Sequence, residues 1–202
     1  MKFGKEKGMV ISVKNLVRAK GTYGYIENHK TYAAIRTLVY FLLCVGLYVM
    51  GYVTTGSNKN LLTVVAILGC LPACKSLVNL IMFVKAKGCS QELMKKVHEY
   101  DGNLTTFYDF YFTTYQKNFA VSHMVLKGNV LCGITENPKC DTNEAEKHLE
   151  QMLTQEGIKN VTVKIFSDTD KYIDRLSQLN NLKTEEHKNR DAIINLLYSI
   201  SL

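Results

Sequence analysis

The chain has 202 residues, 47% of them hydrophobic, and a net charge of +7 at neutral pH. This length is enough for one soluble domain beside a membrane-spanning region. Residues 1–36 hold eight Lys/Arg against two Glu, whereas residues 86–202 hold fourteen basic side chains against sixteen acidic ones. A nucleic-acid-binding domain would concentrate basic charge on itself, so we expect no nucleic-acid partner.

The first region, residues 1–32, is basic. Within it, residues 10–19 (VISVKNLVRA) place apolar side chains around Lys14 and Arg18, a pattern that predicts a short amphipathic helix on a membrane surface. Anionic lipid would attract such a segment by about 1 kcal/mol per Lys or Arg near the surface. We therefore expect this region to lie beside a lipid bilayer and to contact anionic lipid.

Two apolar stretches, residues 37–53 and 61–84, follow in the sequence. The hydrocarbon core of a bilayer needs about 17–25 mostly apolar helical residues, and both stretches are long enough. The link between them, residues 54–60 (TTGSNKN), is polar and too short for anything but an antiparallel return. Residues 33–84 therefore predict a transmembrane helical hairpin whose spans are about residues 37–54 and 61–84.

Basic residues flank this predicted hairpin on both outer sides, while the link between the spans has only Lys59. Lys and Arg on short flanks favour the cytoplasmic side of a membrane. We therefore expect a two-span protein of the cell membrane with both termini in the cytoplasm. The first apolar stretch starts too late in the chain for a cleavable signal peptide.

Three polar side chains lie in or at the end of the predicted spans: Arg36, Lys75 and Asn79. Lys75 and Asn79 are four residues apart and share one helix face, just after Pro72, which should kink the second span. An ionisable group at membrane depth is a candidate for a transport or proton-relay function. Lys75 also has two simpler interpretations, snorkelling to the headgroups or a contact between helices or subunits, and all three stay open.

The six cysteines predict neither a metal site nor a cofactor, because no pair has zinc-ligand spacing with a matching second pair. Cys70 and Cys74 lie in the second apolar stretch beside Ala66, Gly69 and Ala73. This stripe of small residues would let two membrane helices approach closely. On the cytoplasmic side, reduced thiols are the default.

Residues 90–202 predict a small cytoplasmic α/β domain with a mixed sheet, in the order α-β-β-β-α-β-α, followed by a further amphipathic helix. The predicted helices cover residues 91–100, 141–157, 168–179 and 183–202, and the predicted strands cover residues 105–116, 119–126, 130–135 and 161–166. Aromatic and β-branched side chains mark the strands, and Asp141 followed by Glu144 has the form of a capping box. The helix before the last strand implies a right-handed crossover.

This element order, together with residues 119–138 (FAVSHMVLKGNVLCGITENP), resembles the core of restriction-endonuclease-like nucleases, including the nuclease-related domains attached to some bacterial membrane proteins. In that family, one strand carries an acidic residue and the next an acid-x-Lys pair, which hold a metal ion and activate water. The resemblance places the acidic residue at Ser122, beside His123, and the pair at residues 133–136, where no acid-x-Lys exists. It therefore implies a related topology without the catalytic motif.

Together these patterns predict a membrane-anchored cytoplasmic binding or scaffolding module rather than an enzyme. Its partner would be an unidentified protein or a second copy of the chain. The aromatic strand, residues 107–115, is one candidate for the partner surface, although aromatic side chains more often belong to a core.

Two alternatives have different chemistry. The first is a diverged nuclease-like, metal-dependent hydrolase that uses Asp109, His123 or Glu136. The second is a small oligomeric membrane pore, in which Lys75 would affect flux. A further candidate is Cys140, which lies at a predicted helix N-terminus, where a lowered thiol pKa could serve redox or metal sensing.

Overall fold

The computed structural model describes residues 18–57, 59–102, 104–114, 117–182 and 188–202. They form two compact units. The first contains Ile26–Ala86, and the second combines Arg18–Tyr25 with Lys87–Leu202. The basic amphipathic helix expected over residues 10–19 lies outside the described residues except for its last two positions, which are not helical.

The first unit consists of two long apolar helices, α1 (Tyr25–Thr55) and α2 (Leu61–Lys85). At 1.5 Å per residue they are about 46 and 37 Å long, more than the roughly 30 Å of a hydrocarbon core. By length and composition both could cross a membrane, and only 17% of the apolar window of each is buried within the protein. Two long apolar helices at the predicted positions are therefore confirmed.

Helix α1 begins about twelve residues before the apolar stretch that predicted it. Gly24, with a φ of +76°, ends the preceding turn and precedes the helix start. Residues 25–36 are polar or mixed but contain neither glycine nor proline, so the helix extends through them. Pro72 lies inside α2, which continues on both sides of it.

Small residues allow α1 and α2 to approach closely. A Cβ added to Gly51 would lie 2.9 Å from the Cβ of Leu62, and one added to Gly69 would lie 3.2 Å from Cys44 Sγ. Ala73 in the same stripe is completely buried, whereas the neighbouring thiols at positions 70 and 74 are exposed. The predicted small-residue stripe therefore does face the partner helix, but without the two cysteines.

The second unit is an α/β domain of four helices and a four-stranded mixed sheet in the described residues. Its elements are α3 (Gln91–His98), β1 (Thr105–Thr113), β2 (Asn118–Lys127), β3 (Val130–Ile134), α4 (Thr142–Gln155), β4 (Thr162–Phe166), α5 (Thr169–Asn181) and α6 (Arg190–Ile200). The strands lie in the order β1-β2-β3-β4. The first two pairs are antiparallel and β3 is parallel to β4, which follows the connecting helix α4.

The predicted order of elements is confirmed, and the differences are at the ends. Strand β1 ends at Thr113 rather than at residue 116, and α6 begins at Arg190 rather than at residue 183. Residues 183–187 lie outside the described residues. Asp141 caps α4 as predicted, because its Oδ1 accepts the backbone N–H of Glu144 (3.1 Å).

Helices cover both faces of the sheet. On one face, α4 and α6 pack Leu149 and Ile193 against β-strand side chains in the larger hydrophobic core. On the other face, α3 and α5 contribute Leu93 and Leu176 to a second core. Because helices cover both faces of the sheet, the aromatic edge strand β1 is also mostly core, and Phe110 and Phe112 offer no partner surface.

Two chain segments cover the outer edge of β1. The backbone N–H of Tyr108 donates to Gly21 O (2.8 Å), in the segment that precedes α1, and the N–H of Leu202 donates to Tyr111 O (2.9 Å). At the opposite edge, the N–H of Ile165 in β4 donates to the side chain of Glu146 from α4 (2.8 Å). Satisfied edges of this kind discourage pairing with another sheet.

Candidate functional site

The loop that precedes α3 brings two candidate carboxylates together. Asp109 Oδ1 accepts the backbone N–H of Cys89 (2.6 Å), and Glu136 Oε2 accepts the backbone N–H of Ser90 (2.9 Å). Gly88 permits this approach, because a Cβ there would lie 3.1 Å from Asp109 Oδ1. We call these five residues the junction site.

Asp109 reaches this loop through an unusual backbone conformation. Its φ is +59°, in the left-handed region that few residues other than glycine, asparagine and aspartate adopt. Tyr108 pairs with His123 and Phe110 pairs with Val121, so the register of β1 and β2 continues across it. Phe107 and Phe110 nevertheless enter the same core, so the alternation of side chains slips by one position at Asp109.

The junction site holds backbone groups and has no activated thiol. Burial, followed by the charges of Glu136 and Asp109, raises the pKa of the Cys89 thiol to about 12. The thiol is therefore protonated at neutral pH, which makes it a weak nucleophile and a weak metal ligand. In the part of the chain that the structure describes, no three His, Cys, Asp or Glu side chains are grouped to hold a metal ion.

His123 lies apart from the junction site, in a buried polar network. Its Nδ1 lies 2.7 Å from the hydroxyl of Tyr172, and its Nε2 lies 3.5 Å from Asp101 Oδ1. Asp101 Oδ2 accepts the hydroxyl of Tyr108 (3.0 Å) and lies 3.3 Å from His98 Nδ1. The network thus joins α5, β2, β1 and the turn after α3.

The pKa shifts indicate which groups of the network carry charge. Burial lowers the pKa of His123 although Asp101 opposes the shift, so the imidazole is neutral at pH 7. Burial raises the pKa of Asp101, but the contacts with His123, Tyr108 and His98 outweigh it, so the net direction is down. A neutral imidazole has one N–H. If the Tyr172 hydroxyl donates to Nδ1, the proton is on Nε2, whose 3.5 Å separation from Asp101 Oδ1 is an electrostatic contact and not a hydrogen bond.

This network has the chemistry of a structural polar cluster. A general base must reach the proton it removes, and His123 is completely buried, as is Tyr172. Asp101 is the outer member, with 18% of its side chain exposed, and His98 beyond it is 76% exposed. The arrangement fixes α5 and the α3–β1 turn to the sheet.

The polar residues predicted in the spans line a groove in the helical hairpin. Arg36, Lys75 and Asn79 share a space of about 610 Å³ with Tyr40 and Ser76. Arg36 Nε donates to Ser76 Oγ (3.2 Å), which connects α1 to α2. The structure therefore brings these three residues together.

The expectation of a lowered thiol pKa at Cys140 is wrong. Burial raises the pKa of its thiol, although hydrogen bonds from Thr135 and the backbone of Ala120 oppose the shift. A position near a helix N-terminus lowers a thiol pKa only where the favourable dipole exceeds the cost of burying the charge. Cys140 is half-buried and packs against the larger core, so burial dominates.

Sequence reasoning missed Asp101, Tyr108 and Tyr172, which surround His123. Their separations along the chain give no local pattern, since Tyr172 is 49 residues from His123. One signal was available, because His98 and Asp101 at the end of a predicted helix have the spacing of a side-chain pair. No sequence signal indicated that carboxylates would accept the backbone N–H groups of Cys89 and Ser90.

Searches of protein-family models, of curated proteins and of solved structures found no match to this chain.

Proposed function

We propose that this chain is a membrane-anchored, non-catalytic binding or scaffolding module. The hairpin of α1 and α2 crosses the cell membrane twice, and the α/β domain lies in the cytoplasm with both termini. There it binds another protein or a second copy of the chain, held close to the membrane.

The observation that supports the anchor best is the distribution of side chains in the hairpin. Between residues 33 and 76, the buried side chains in the described part are Ala33, Thr37, Ala66, Ala73 and Ser76. The large apolar side chains point outward, with Leu61 79% exposed and Leu71 70% exposed. Water would penalise such a surface, whereas lipid tails would solvate it and leave small residues for helix contacts.

The charge distribution supports the orientation. Residues 1–36 carry a large excess of Lys and Arg, and Lys85 and Lys87 flank the other end of the hairpin, against Lys59 alone in the turn. The positive-inside rule then favours the cytoplasm for both outer ends.

The roles of the candidate side chains support binding rather than catalysis. Asp109 and Glu136 each accept a backbone N–H of the junction loop, and His123 is enclosed in its network. Side chains that are used in this way to fix the fold are not available to a substrate, which favours a non-catalytic function.

Membrane association is tested by expressing the full chain and extracting membranes with alkaline carbonate. We expect the chain to stay in the pellet and to dissolve only in detergent, as integral proteins do. Release by carbonate would contradict the anchor.

The rival hydrolase is tested by titrating the detergent-solubilised full chain with Mn²⁺ beside the Asp109→Asn and Glu136→Gln variants. The scaffold predicts no saturable binding that depends on either side chain. Saturable binding that both substitutions abolish would favour the metal-dependent hydrolase.

The pore stays a separate prediction, in which Lys75→Leu alters ion flux through reconstituted vesicles.

A further inference from the structure

The hairpin groove described above contains two cations without an acidic partner. Residues 28–91 contain no Asp or Glu, and Glu27, the only acidic residue of α1, pairs with Lys30 at 2.6 Å. No ion pair in the described residues includes Arg36 or Lys75. Their counter-charge must come from outside this hairpin.

We propose that the groove of Arg36, Lys75 and Asn79 binds the phosphate of an anionic phospholipid. This inference rests on the proposed function, because it requires the hairpin to lie in a bilayer. It assigns a lipid site distinct from the basic segment of residues 1–32.

The groove lies at the level where lipid phosphates are found. Arg36 precedes Gly56 in the turn by 20 residues, which is about 30 Å of helix, and Asn79 follows Leu61 by 18 residues, about 27 Å. With the turn at one surface of a hydrocarbon core about 30 Å thick, both side chains reach the opposite surface. Lys75 lies one turn deeper and has a stem long enough to reach the same level.

The contacts of Arg36 orient its guanidinium group. Its Nε donates to Ser76 Oγ (3.2 Å), and its Cζ lies 5.7 Å from the centre of the Tyr32 ring. Ser76 Oγ is fixed in turn by the Thr37 hydroxyl at 2.9 Å. A guanidinium held through Nε presents its terminal N–H groups as a fork, the geometry that suits phosphate oxygens.

The remaining lining matches the rest of a phospholipid. Lys75 adds a second positive charge, and the Asn79 amide and Tyr40 hydroxyl can donate hydrogen bonds to headgroup oxygens. Pro72 lines the end of the groove nearer the bilayer interior, and Val78 and Met82 add apolar surface closer to the headgroup level. A space of about 610 Å³ is within the range of small-molecule sites.

The test uses the full chain reconstituted in vesicles of phosphatidylcholine with a minority of phosphatidylglycerol. Flotation first shows whether the chain enters the vesicles. The chain is then extracted in mild detergent, and the phospholipids that stay bound are quantified by mass spectrometry. We expect phosphatidylglycerol to be enriched over its share in the vesicles.

Arg36→Gln and Lys75→Gln should each lower this enrichment about fivefold, the factor for one charge near a lipid surface. Lys59→Gln removes one charge at the other end of the hairpin and should leave it unchanged. Arg36→Lys keeps the charge but loses the fork and should give an intermediate value.

Three results would overturn the site. The first is equal enrichment in wild type and in the Arg36→Gln/Lys75→Gln double variant. The second is no enrichment in a wild-type chain that floats. The third is complete displacement of phosphatidylglycerol by the same concentration of inorganic phosphate. The last result would mean that the groove takes a free anion instead of a lipid. A wild-type chain that does not float would refute the anchor itself.

Discussion

Leucine side chains are exposed in the hairpin and buried in the α/β domain. Leu176 in α5 is completely buried in the second core, whereas Leu71 in α2 is 70% exposed. In the domain, large apolar side chains fill the interior and helices cover both faces of the sheet. In the hairpin between residues 33 and 76, the buried side chains of the described part are alanines and hydroxyl residues. The domain therefore encloses its large apolar side chains, whereas the hairpin exposes them, as the proposed insertion into a bilayer would require.

Polar groups follow the same division. The domain buries a network that contains an ionised carboxylate, Asp101, with three partners within 3.5 Å. In the hairpin, the buried hydroxyl pair of Thr37 and Ser76 is neutral, and the cations Arg36 and Lys75 line the groove. Neighbouring side chains of the domain thus pair with Asp101, whereas no ion pair in the described residues includes Arg36 or Lys75.

The largest effect should come from truncating a leucine in the domain. Leu176→Ala is expected to lower the free energy of unfolding by about 2–5 kcal/mol, since it leaves a cavity in a closed core. Leu71→Ala is the matched control and should change it by less than about 0.5 kcal/mol. Urea unfolding in mild detergent, followed by tyrosine fluorescence, measures both. Equal losses would contradict the division between the two regions.

Replacing Asp109 should have the next largest effect. Asp109→Ala removes the acceptor of the Cys89 N–H and places alanine at a φ of +59°, for a loss of about 2–4 kcal/mol. Asp109→Asn keeps an acceptor oxygen and a residue that tolerates this conformation, so about half of that loss is expected. The same urea experiment compares them. Identical losses in the two variants would exclude a role for the hydrogen bond and the backbone strain.

The polar network predicts a pH dependence of domain stability. Burial lowers the folded-state pKa of His123, so below about pH 6.5 the unfolded chain binds more protons and stability falls as the pH decreases. Asp101, whose folded-state pKa is also lowered, stabilises the domain above about pH 4, and this contribution is lost as the pH falls further. The slope cannot exceed about 1.4 kcal/mol per pH unit for each group.

The measurement is urea unfolding at several pH values between 7 and 5. His123→Asn should flatten the curve relative to wild type, because asparagine can still accept from Tyr172 but does not titrate. His148, whose pKa burial also lowers, contributes the same sign in all variants and cancels in the comparison. A His123→Asn slope equal to that of wild type would refute the role of His123.

The smallest effect should come from the hydroxyl pair of the hairpin. Ser76→Ala removes the contact with Thr37 and should destabilise the paired helices by about 0.6 kcal/mol, the average for such bonds in membranes. Gly69→Cys provides the readout, since its Cβ would lie 3.2 Å from Cys44 Sγ and the pair should oxidise to a disulfide.

The yield of this disulfide is followed as sodium dodecyl sulfate is added, with Cys70 and Cys74 replaced by alanine. Ser76→Ala should shift the midpoint slightly toward less detergent. Thr54→Ala is the control, because Thr54 bonds only within its own helix turn in the described contacts. No disulfide at zero detergent would contradict the packing of α1 against α2.

Local signals predicted the elements of the domain well. Asp141 and Ser90 cap α4 and α3 through their own side chains, and such caps involve residues three apart, so they are readable from sequence. The start of α1 was missed because residues 25–36 have helix-compatible residues without an apolar pattern. Helix propensity and apolar length are separate properties, and the apolar length of a span does not indicate where its helix begins.

The sites were harder to predict because tertiary contacts create them. Asp109 and Glu136 meet through the backbone of residues 89 and 90, which requires the slip of side-chain alternation in β1. That slip follows from a single φ value and has no sequence signature beyond an aspartate. The groove was closer to prediction, since Lys75 and Asn79 share a helix face, but their neighbour Arg36 comes from the other helix.

A measurement of membrane topology tests most directly whether the exposed apolar side chains of the hairpin face lipid. Single cysteines are placed at Ser57 in the turn and at Ser167 before α5, both exposed, in a cysteine-free full chain. A membrane-impermeant thiol reagent should label position 57 in intact cells and position 167 only after permeabilisation. Labelling of position 167 in intact cells, or recovery of the chain in the soluble fraction, would contradict a cytoplasmic domain anchored by a membrane hairpin.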